Sequence, residues 1–157
     1  MIKIFVVVFL SGLICACSLQ KASTSKALSL SINSNLIKFS EQGFLYEGKN
    51  SLRLEIYKLG QAFFTLNIGD KICLDKICYE KKAFNERFFK ALHYEDLMGD
   101  ILKFQPLYEG LNLSKNECGF KQTLQSKNYD IIYSVCDEML EFKDLQNKIL
   151  IKIRVYE

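Results

Sequence analysis

Hydrophobic and polar residues alternate along most of the chain with a period of two, which is typical of half-buried β-strands. Near the start, Leu28, Leu30 and Ile32 alternate with serine and other small residues. Glu41-Gln42-Gly43 is predicted to break the pattern between two short strands. The predicted strands are residues 27–33, 36–39, 44–47, 51–58, 62–68, 118–125, 129–136, 139–143 and 149–155, together with a small hairpin over residues 71–79.

Between residues 81 and 106 the spacing changes to that of amphipathic helices. Phe84, Phe88 and Leu92 fall four residues apart, which predicts one helix. A second helix is predicted over residues 95–103, ended by Pro106, and residues 107–117 are predicted to be a loop. The side chains expected to point inward from the two helices are Ala83, Phe84, Phe88, Phe89, Leu92, Leu97, Ile101 and Phe104.

About six strands, two helices and four further strands predict an α+β fold. We expect a strongly curved antiparallel sheet (a half-barrel) of about ten strands, with the two mid-chain helices covering one face. Such a sheet closed by helices encloses an apolar space, which is a common site for a small or lipid-like ligand. The alternative is that the same side chains form a filled core. The residues predicted to line an acyl-chain cavity are Leu52, Leu54, Ile56, Phe64, Leu66, Phe84, Phe88, Leu97 and Ile101.

The first residues have the layout of a secretory signal peptide: Lys3, an apolar run, and then small residues. Ile14-Cys15-Ala16-Cys17 resembles a bacterial lipobox, which implies cleavage before Cys17 and lipidation of that cysteine. Three acyl chains, at about 0.8 kcal/mol per buried methylene, would hold the protein at a membrane. The resemblance implies a signal peptide over residues 1–16, a lipidated tether over residues 17–26 and a single domain over residues 27–157. The alternatives are an ordinary cleaved signal or an uncleaved anchor.

Composition and the absence of certain motifs reduce the number of possible function classes. The formal net charge is only +3, whereas a nucleic-acid-binding protein needs a concentrated basic face. The sequence contains no Gly-rich phosphate loop and no HExxH motif, and His93 is the only histidine. We interpret His93 as a surface or capping residue. No catalytic residue, metal site or cofactor is therefore predicted.

Four cysteines outside the first segment predict two disulfides. A two-residue turn at Asp75-Lys76 would place Cys73 opposite Cys78. A three-residue loop at Ser126-Lys127-Asn128 would pair Gln125 with Tyr129, and this register brings Cys118 opposite Cys136. The alternative is four reduced, buried thiols. Zinc binding is disfavoured because no CxxC pair occurs.

Several segments, taken in order, resemble outer-membrane lipoprotein receptors of the LolB type. These segments are residues 52–56, Lys58-Leu59-Gly60, residues 63–68, residues 94–107, Gly119-Phe120, residues 129–133 and residues 149–154. That family consists of lipid-anchored half-barrels, capped by helices, that take lipoproteins from a periplasmic carrier and insert them in the outer membrane. This sequence differs in having Lys58 where the family has proline, in lacking tryptophan and in its cysteines.

Leu59 is out of phase with the neighbouring strand residues, so it is expected to project from a turn into water. The resemblance implies that this leucine enters the bilayer. The alternative is that it packs against Phe63 or Tyr57.

The residue after Cys17 is Ser18 rather than aspartate, and by resemblance to enteric bacteria this favours an outer-membrane location on the periplasmic side. The resulting hypothesis is a monomeric, non-enzymatic lipoprotein that binds acyl chains and helps to receive or insert lipoproteins. Its expected partners are membrane lipid, lipoprotein acyl chains and a periplasmic carrier, and not nucleic acid. The alternative is a structural or surface-exposed lipoprotein without a ligand cavity.

Overall fold

The computed structural model of the protein describes residues 24–156, which form an open antiparallel sheet of 11 strands with two α-helices. The strands before the helices are β1 (Thr24–Asn33), β2 (Lys38–Glu47), β3 (Leu52–Lys58), β4 (Gln61–Ile68), β5 (Lys71–Leu74) and β6 (Ile77–Glu80). Then come α1 (Lys81–Phe89), α2 (Leu97–Leu102) and a short 3-10 helix (Tyr108–Gly110). The remaining strands are β7 (Leu113–Asn116), β8 (Gly119–Gln125), β9 (Asp130–Cys136), β10 (Met139–Asp144) and β11 (Ile149–Tyr156).

The strand order, β6-β5-β4-β3-β2-β1-β11-β10-β9-β8-β7, explains why the helices cover one face. Every pairing except β1 with β11 joins strands that are consecutive in the chain. The chain must therefore pass from one edge of the sheet, β6, to the other edge, β7. The helical segment makes this connection across the apolar face. The expectation of an antiparallel sheet with two mid-chain helices is confirmed.

The core lies between this face and the helices. Strand residues alternate between buried and accessible positions, as in β1, where Leu28, Leu30 and Ile32 are buried. On the helical side, Phe89 of α1 packs edge-to-face on Phe142 of β10, with ring centroids 5.4 Å apart. Because α1 also contacts β5 and β6, one helix touches strands from both halves of the sheet. The sheet must therefore curve around the helices.

The prediction of two short strands broken at Glu41-Gln42-Gly43 was wrong, because β2 is continuous from Lys38 to Glu47. Gly43 is paired within the strand, between Leu28 and Ile56. A Cβ added there would lie 2.1 Å from the backbone oxygen of Glu55. The glycine therefore permits close approach to β3 rather than forming a turn. The sheet also starts earlier than predicted, since residues 24–26 belong to β1 and not to the tether.

Both predicted disulfides are confirmed: Cys73 is bonded to Cys78 and Cys118 to Cys136. The β5–β6 hairpin has the predicted register, with the two cysteines directly opposite each other. The predicted β8–β9 register was wrong by one residue, because the loop has four residues and Cys136 faces Gly119. Cys118 lies just before β8 and still reaches Cys136, with the two Cα atoms 4.7 Å apart.

The helices are shorter than predicted. Lys90 has a positive φ of 60°, so α1 stops after Phe89 and the chain turns away. As a result Leu92 is 67% exposed and Ala83 is exposed, so neither points inward as expected. The second helix covers only Leu97–Leu102.

The predicted loop over residues 107–117 contains the 3-10 helix and β7. Leu113 is the only apolar residue of β7, so its strand conformation comes from pairing with β8 rather than from an alternating pattern. The side chain of Gln122 is buried and forms hydrogen bonds with the backbone of residues 107 and 111. It accepts a hydrogen bond from the Leu107 amide at 2.8 Å and donates to the carbonyls of Leu107 and Leu111.

Candidate functional site

A cavity of about 400 Å³ lies between the apolar face of the sheet and the two helices. Tyr79 and Arg87 are the polar side chains of its lining, and the other side chains are aliphatic, aromatic or, for Met98, a thioether. Six of the nine residues predicted for an acyl-chain cavity line it: Leu54, Phe64, Leu66, Phe84, Phe88 and Ile101. An apolar cavity of this kind binds a hydrocarbon ligand in preference to a polar one, because its wall offers few hydrogen-bonding groups.

The other three predicted residues do not line the cavity. Ile56 and Leu97 are fully buried among other side chains. Leu52 borders a separate depression near the β2–β3 and β4–β5 turns. All three side chains are buried, as expected for the apolar face, but none of them lines the cavity.

Residues that sequence reasoning did not assign complete the cavity. Leu30 and Ile32 of β1 and Ile151 of β11 line it because these two strands pair at the centre of the sheet. Phe63 lines it because of a β-bulge: Ile56 pairs with Phe64 and Tyr57 with Ala62, leaving Phe63 as the extra residue. These strand residues belong to alternating patterns, which indicate burial. Such a pattern does not show which distant strands pair or where a bulge lies, so it does not show that these residues line a cavity. The remaining unassigned lining residues are Leu36, Ile37, Phe39, Leu74, Tyr79, Arg87, Met98 and Leu102.

The opening of the cavity lies at one end of the sheet. Leu36, Phe63 and Leu74 line the cavity and are also exposed to solvent. Phe39 packs edge-to-face on Phe63 behind this opening, with ring centroids 5.9 Å apart. Arg87 is the only charged residue of the lining, and its guanidinium carbon lies 5.9 Å from the ring centroid of Tyr79. A ligand inside the cavity would therefore meet apolar side chains and one cation.

Leu59 lies at the same end, in the two-residue turn between β3 and β4. Leu59 and Gly60 have φ values of 51° and 77°, the positive values that a type I′ hairpin turn requires. The Leu59 side chain is 96% exposed, so it lies in solvent and does not pack against Phe63 or Tyr57. A leucine held in this conformation at the tip of a hairpin is available to an apolar partner.

His93 is buried, with 7% exposure, so the expectation of a surface or capping residue was wrong. Its Nδ1 lies 2.6 Å from the Tyr108 hydroxyl, and its Nε2 has no hydrogen-bond partner among the described residues. The ring packs against Phe89 and Tyr129. Burial lowers the pKa of His93 to about 4, with a smaller opposing effect from Asp144. The imidazole is therefore neutral at pH 7 and is part of an aromatic cluster.

Neither a family model nor a curated protein sequence matches the chain.

The remaining features of the described residues offer less chemistry. A wider depression of about 1,200 Å³ at the opposite end of the sheet is lined by charged and polar groups such as Asp96, Lys103 and Glu109, and it is open to water. Cys118, Cys136 and Asp137 lie close together, but the disulfide uses both sulfurs, so they are not free to bind a metal.

Within residues 24–156, no helix is long and apolar enough to cross a membrane. The predicted signal peptide (residues 1–16), Cys17 and the tether as far as residue 23 lie outside the described residues.

Proposed function

We propose that this protein is a non-enzymatic lipoprotein of the outer membrane that binds acyl chains in the cavity and helps to receive or insert lipoproteins. Within this proposal, residues 27–157 form a LolB-like half-barrel, and Cys17 carries the lipid that holds the domain on the periplasmic side. The observation that carries the proposal is the apolar cavity of about 400 Å³ beneath α1 and α2. A structural lipoprotein has no need of such a space.

The volume indicates how much lipid would fit. At about 30 Å³ per water-sized group, 400 Å³ accommodates roughly a dozen such groups, and a methylene is of similar size. The cavity therefore suits one acyl chain at a time. At about 0.8 kcal/mol per methylene, burying a dozen of them gains on the order of 10 kcal/mol of transfer free energy before ordering costs are subtracted.

Transfer to a membrane then needs no energy source. A bilayer solvates the whole chain, whereas the cavity holds only part of it, so release to the bilayer is favourable. Leu59 projects at the same end of the sheet as the cavity opening. In this proposal Leu59 enters the bilayer and brings the opening to the membrane surface, where a chain can leave without crossing water. A periplasmic carrier would deliver the client.

Uptake of fatty acid by the protein in solution tests the cavity. The material is the chain without residues 1–17, because the sheet and core lie wholly within residues 24–156. Leu74→Trp adds bulk at the cavity opening, and Leu92→Trp makes the same change at an exposed leucine that does not line the cavity. We expect Leu74→Trp to weaken binding of palmitate at least tenfold and Leu92→Trp to leave it unchanged.

The proposal fails if the wild-type protein, purified without detergent, neither retains lipid in native mass spectrometry nor binds added fatty acid. It also fails if the two variants bind equally well while thermal unfolding shows both to be folded. For the role in insertion, depletion of the protein in its host should increase the number of lipoproteins found in the wrong membrane. An unchanged distribution would leave acyl-chain binding without this role.

A further inference from the structure

The five hairpin turns at one end of the sheet share a composition that the cavity does not explain. Because all neighbouring strands are antiparallel, the β1–β2, β3–β4, β5–β6, β8–β9 and β10–β11 turns lie at the same end. Each of them contains or adjoins an exposed lysine. These lysines are Lys38, Lys58, Lys76, Lys127 and Lys148.

Four of the same turns also carry an exposed large apolar side chain. These are Leu36, Leu59, Ile77 and Leu145, of which the least exposed, Leu145, is 50% exposed. We call the five turns with these lysines and apolar side chains the tip rim. The opening of the cavity lies inside the tip rim, since Leu36 belongs to both.

The opposite end of the sheet has the reverse charge. Its turns carry the exposed acidic residues Asp70, Glu117, Asp137 and Glu138. The exposed lysines in or next to these turns are Lys49 and Lys71, and Lys71 is paired with Glu80 at 2.7 Å. The described part of the sheet therefore has a basic, apolar end and an acidic end. Such an asymmetry orients a protein in the field of an anionic surface.

The lysines of the tip rim are largely free to meet an external anion. Among the described residues, only Lys58 pairs with a carboxylate, that of Glu41 at 3.9 Å. Asp75, the acidic residue within these turns, accepts a hydrogen bond from the Thr65 amide at 2.8 Å and forms no ion pair with a described lysine. Lys58 also lies over the Phe63 ring, with its Nζ 5.5 Å from the ring centroid. The other four lysines form no ion pair with a described carboxylate.

We infer that the tip rim binds the surface of an anionic lipid bilayer. Binding to such a surface is favoured by apolar side chains that insert between the lipid head groups. It is also favoured by lysines that remain at the level of the phosphates. An acidic protein would satisfy the lysines but would not need four separate projecting hydrocarbon side chains. The inference rests on the proposed function in so far as the cavity opening would then face the membrane.

The position of the lipid anchor sets the angle of this contact. The ten residues of β1 span about 33 Å from Thr24 to the tip rim. The seven residues from Ser18 to Thr24 extend at most about 25 Å from a lipidated Cys17. Anchor and tip rim therefore reach the same bilayer only if β1 is inclined to the membrane normal.

Vesicle binding tests the charge. The chain without residues 1–17 should sediment with vesicles of phosphatidylcholine and phosphatidylglycerol, and far less with phosphatidylcholine alone. At roughly fivefold per lysine, the double variant Lys76→Gln/Lys148→Gln should lower the partition coefficient roughly 25-fold. The control double variant Lys49→Gln/Lys115→Gln removes two exposed lysines away from the tip rim and should bind as the wild type does.

Insertion of the apolar side chains can be read separately, because the chain contains no tryptophan. A single Leu59→Trp reporter should shift its emission to the blue when anionic vesicles are added. The control, Leu111→Trp, places the reporter at an exposed leucine near the opposite end and should not shift.

The inference is overturned if both double variants lose the same affinity, if neutral vesicles bind equally well, or if no vesicle binds. The last of these outcomes is the one expected if the tip rim binds an acidic protein instead. Palmitate uptake in the absence of vesicles should remain unchanged in Lys76→Gln/Lys148→Gln. Loss of uptake with intact vesicle binding would reject the cavity alone, and intact uptake without vesicle binding would reject the tip rim alone.

Discussion

Acidification should destabilise the fold through His93. This imidazole is buried between Phe89, Tyr108 and Tyr129, where a positive charge would lose its hydration. Its pKa in the folded protein is about 4, below the ordinary 6.5. The unfolded chain therefore takes up a proton at higher pH than the folded chain does. Stability is lost as the pH falls from 6.5 towards 4, and no further below that range.

The shift sets the size of the effect. A difference of about 2.5 pKa units, at 1.36 kcal/mol each, corresponds to about 3 kcal/mol of unfolding free energy. Carboxylates also titrate in this range, and the pKa of Glu141 is lowered by hydrogen bonds with Lys152 and Lys143. Their contribution must be subtracted by comparison with a variant that lacks the imidazole.

His93→Gln provides this comparison, because His93 is the only histidine and glutamine keeps a group able to bond the Tyr108 hydroxyl. Urea unfolding would be followed by circular dichroism from neutral pH to pH 4. The wild type should lose about 3 kcal/mol more than the variant over this range. Parallel curves for the two proteins would refute the argument that burial keeps the imidazole neutral.

Three further predictions concern backbone packing, a disulfide and the projecting leucine. Gly43→Ala should lower the unfolding free energy by about 1–3 kcal/mol, because its Cβ meets the backbone of β3, whereas Gly69→Ala, which meets nothing within 4 Å, should be neutral in the same urea titration. Replacing Cys118 and Cys136 by serine removes a link across 18 residues and should cost about 3 kcal/mol; equal midpoints with and without reductant in the wild type would contradict this. Leu59→Glu should leave the midpoint unchanged, because the side chain is exposed, but should impair lipoprotein delivery in cells, and normal sorting would remove this residue from the mechanism.

Much of the sheet could be predicted because strand patterns are local. Leu28, Leu30 and Ile32 are buried on one face as their alternation with serine requires. The Cys73–Cys78 pairing followed from a two-residue turn, which fixes the register of its own hairpin. The β8–β9 loop was harder, since three and four residues are both compatible with the sequence, and only the folded loop decides between them.

The cavity, by contrast, depends on distances between elements that are far apart in the chain. The pattern showed that Ile56 and Leu97 point inward, as Leu54 and Ile101 do, but only the packing of the helices on the curved sheet leaves space beside the latter pair. His93 is buried because α1 ends at Phe89 and the chain then turns so that His93 faces the core. The residues around His93 in the sequence do not indicate this turn.

The sequence by itself therefore determined which strand side chains face the interior and which cysteines pair, because hydrophobic period and turn length act over a few residues. The tertiary structure decided where the interior is empty and which turns come together at one end. Both depend on how β1 and β11 pair across most of the chain and on where the helices settle against the sheet.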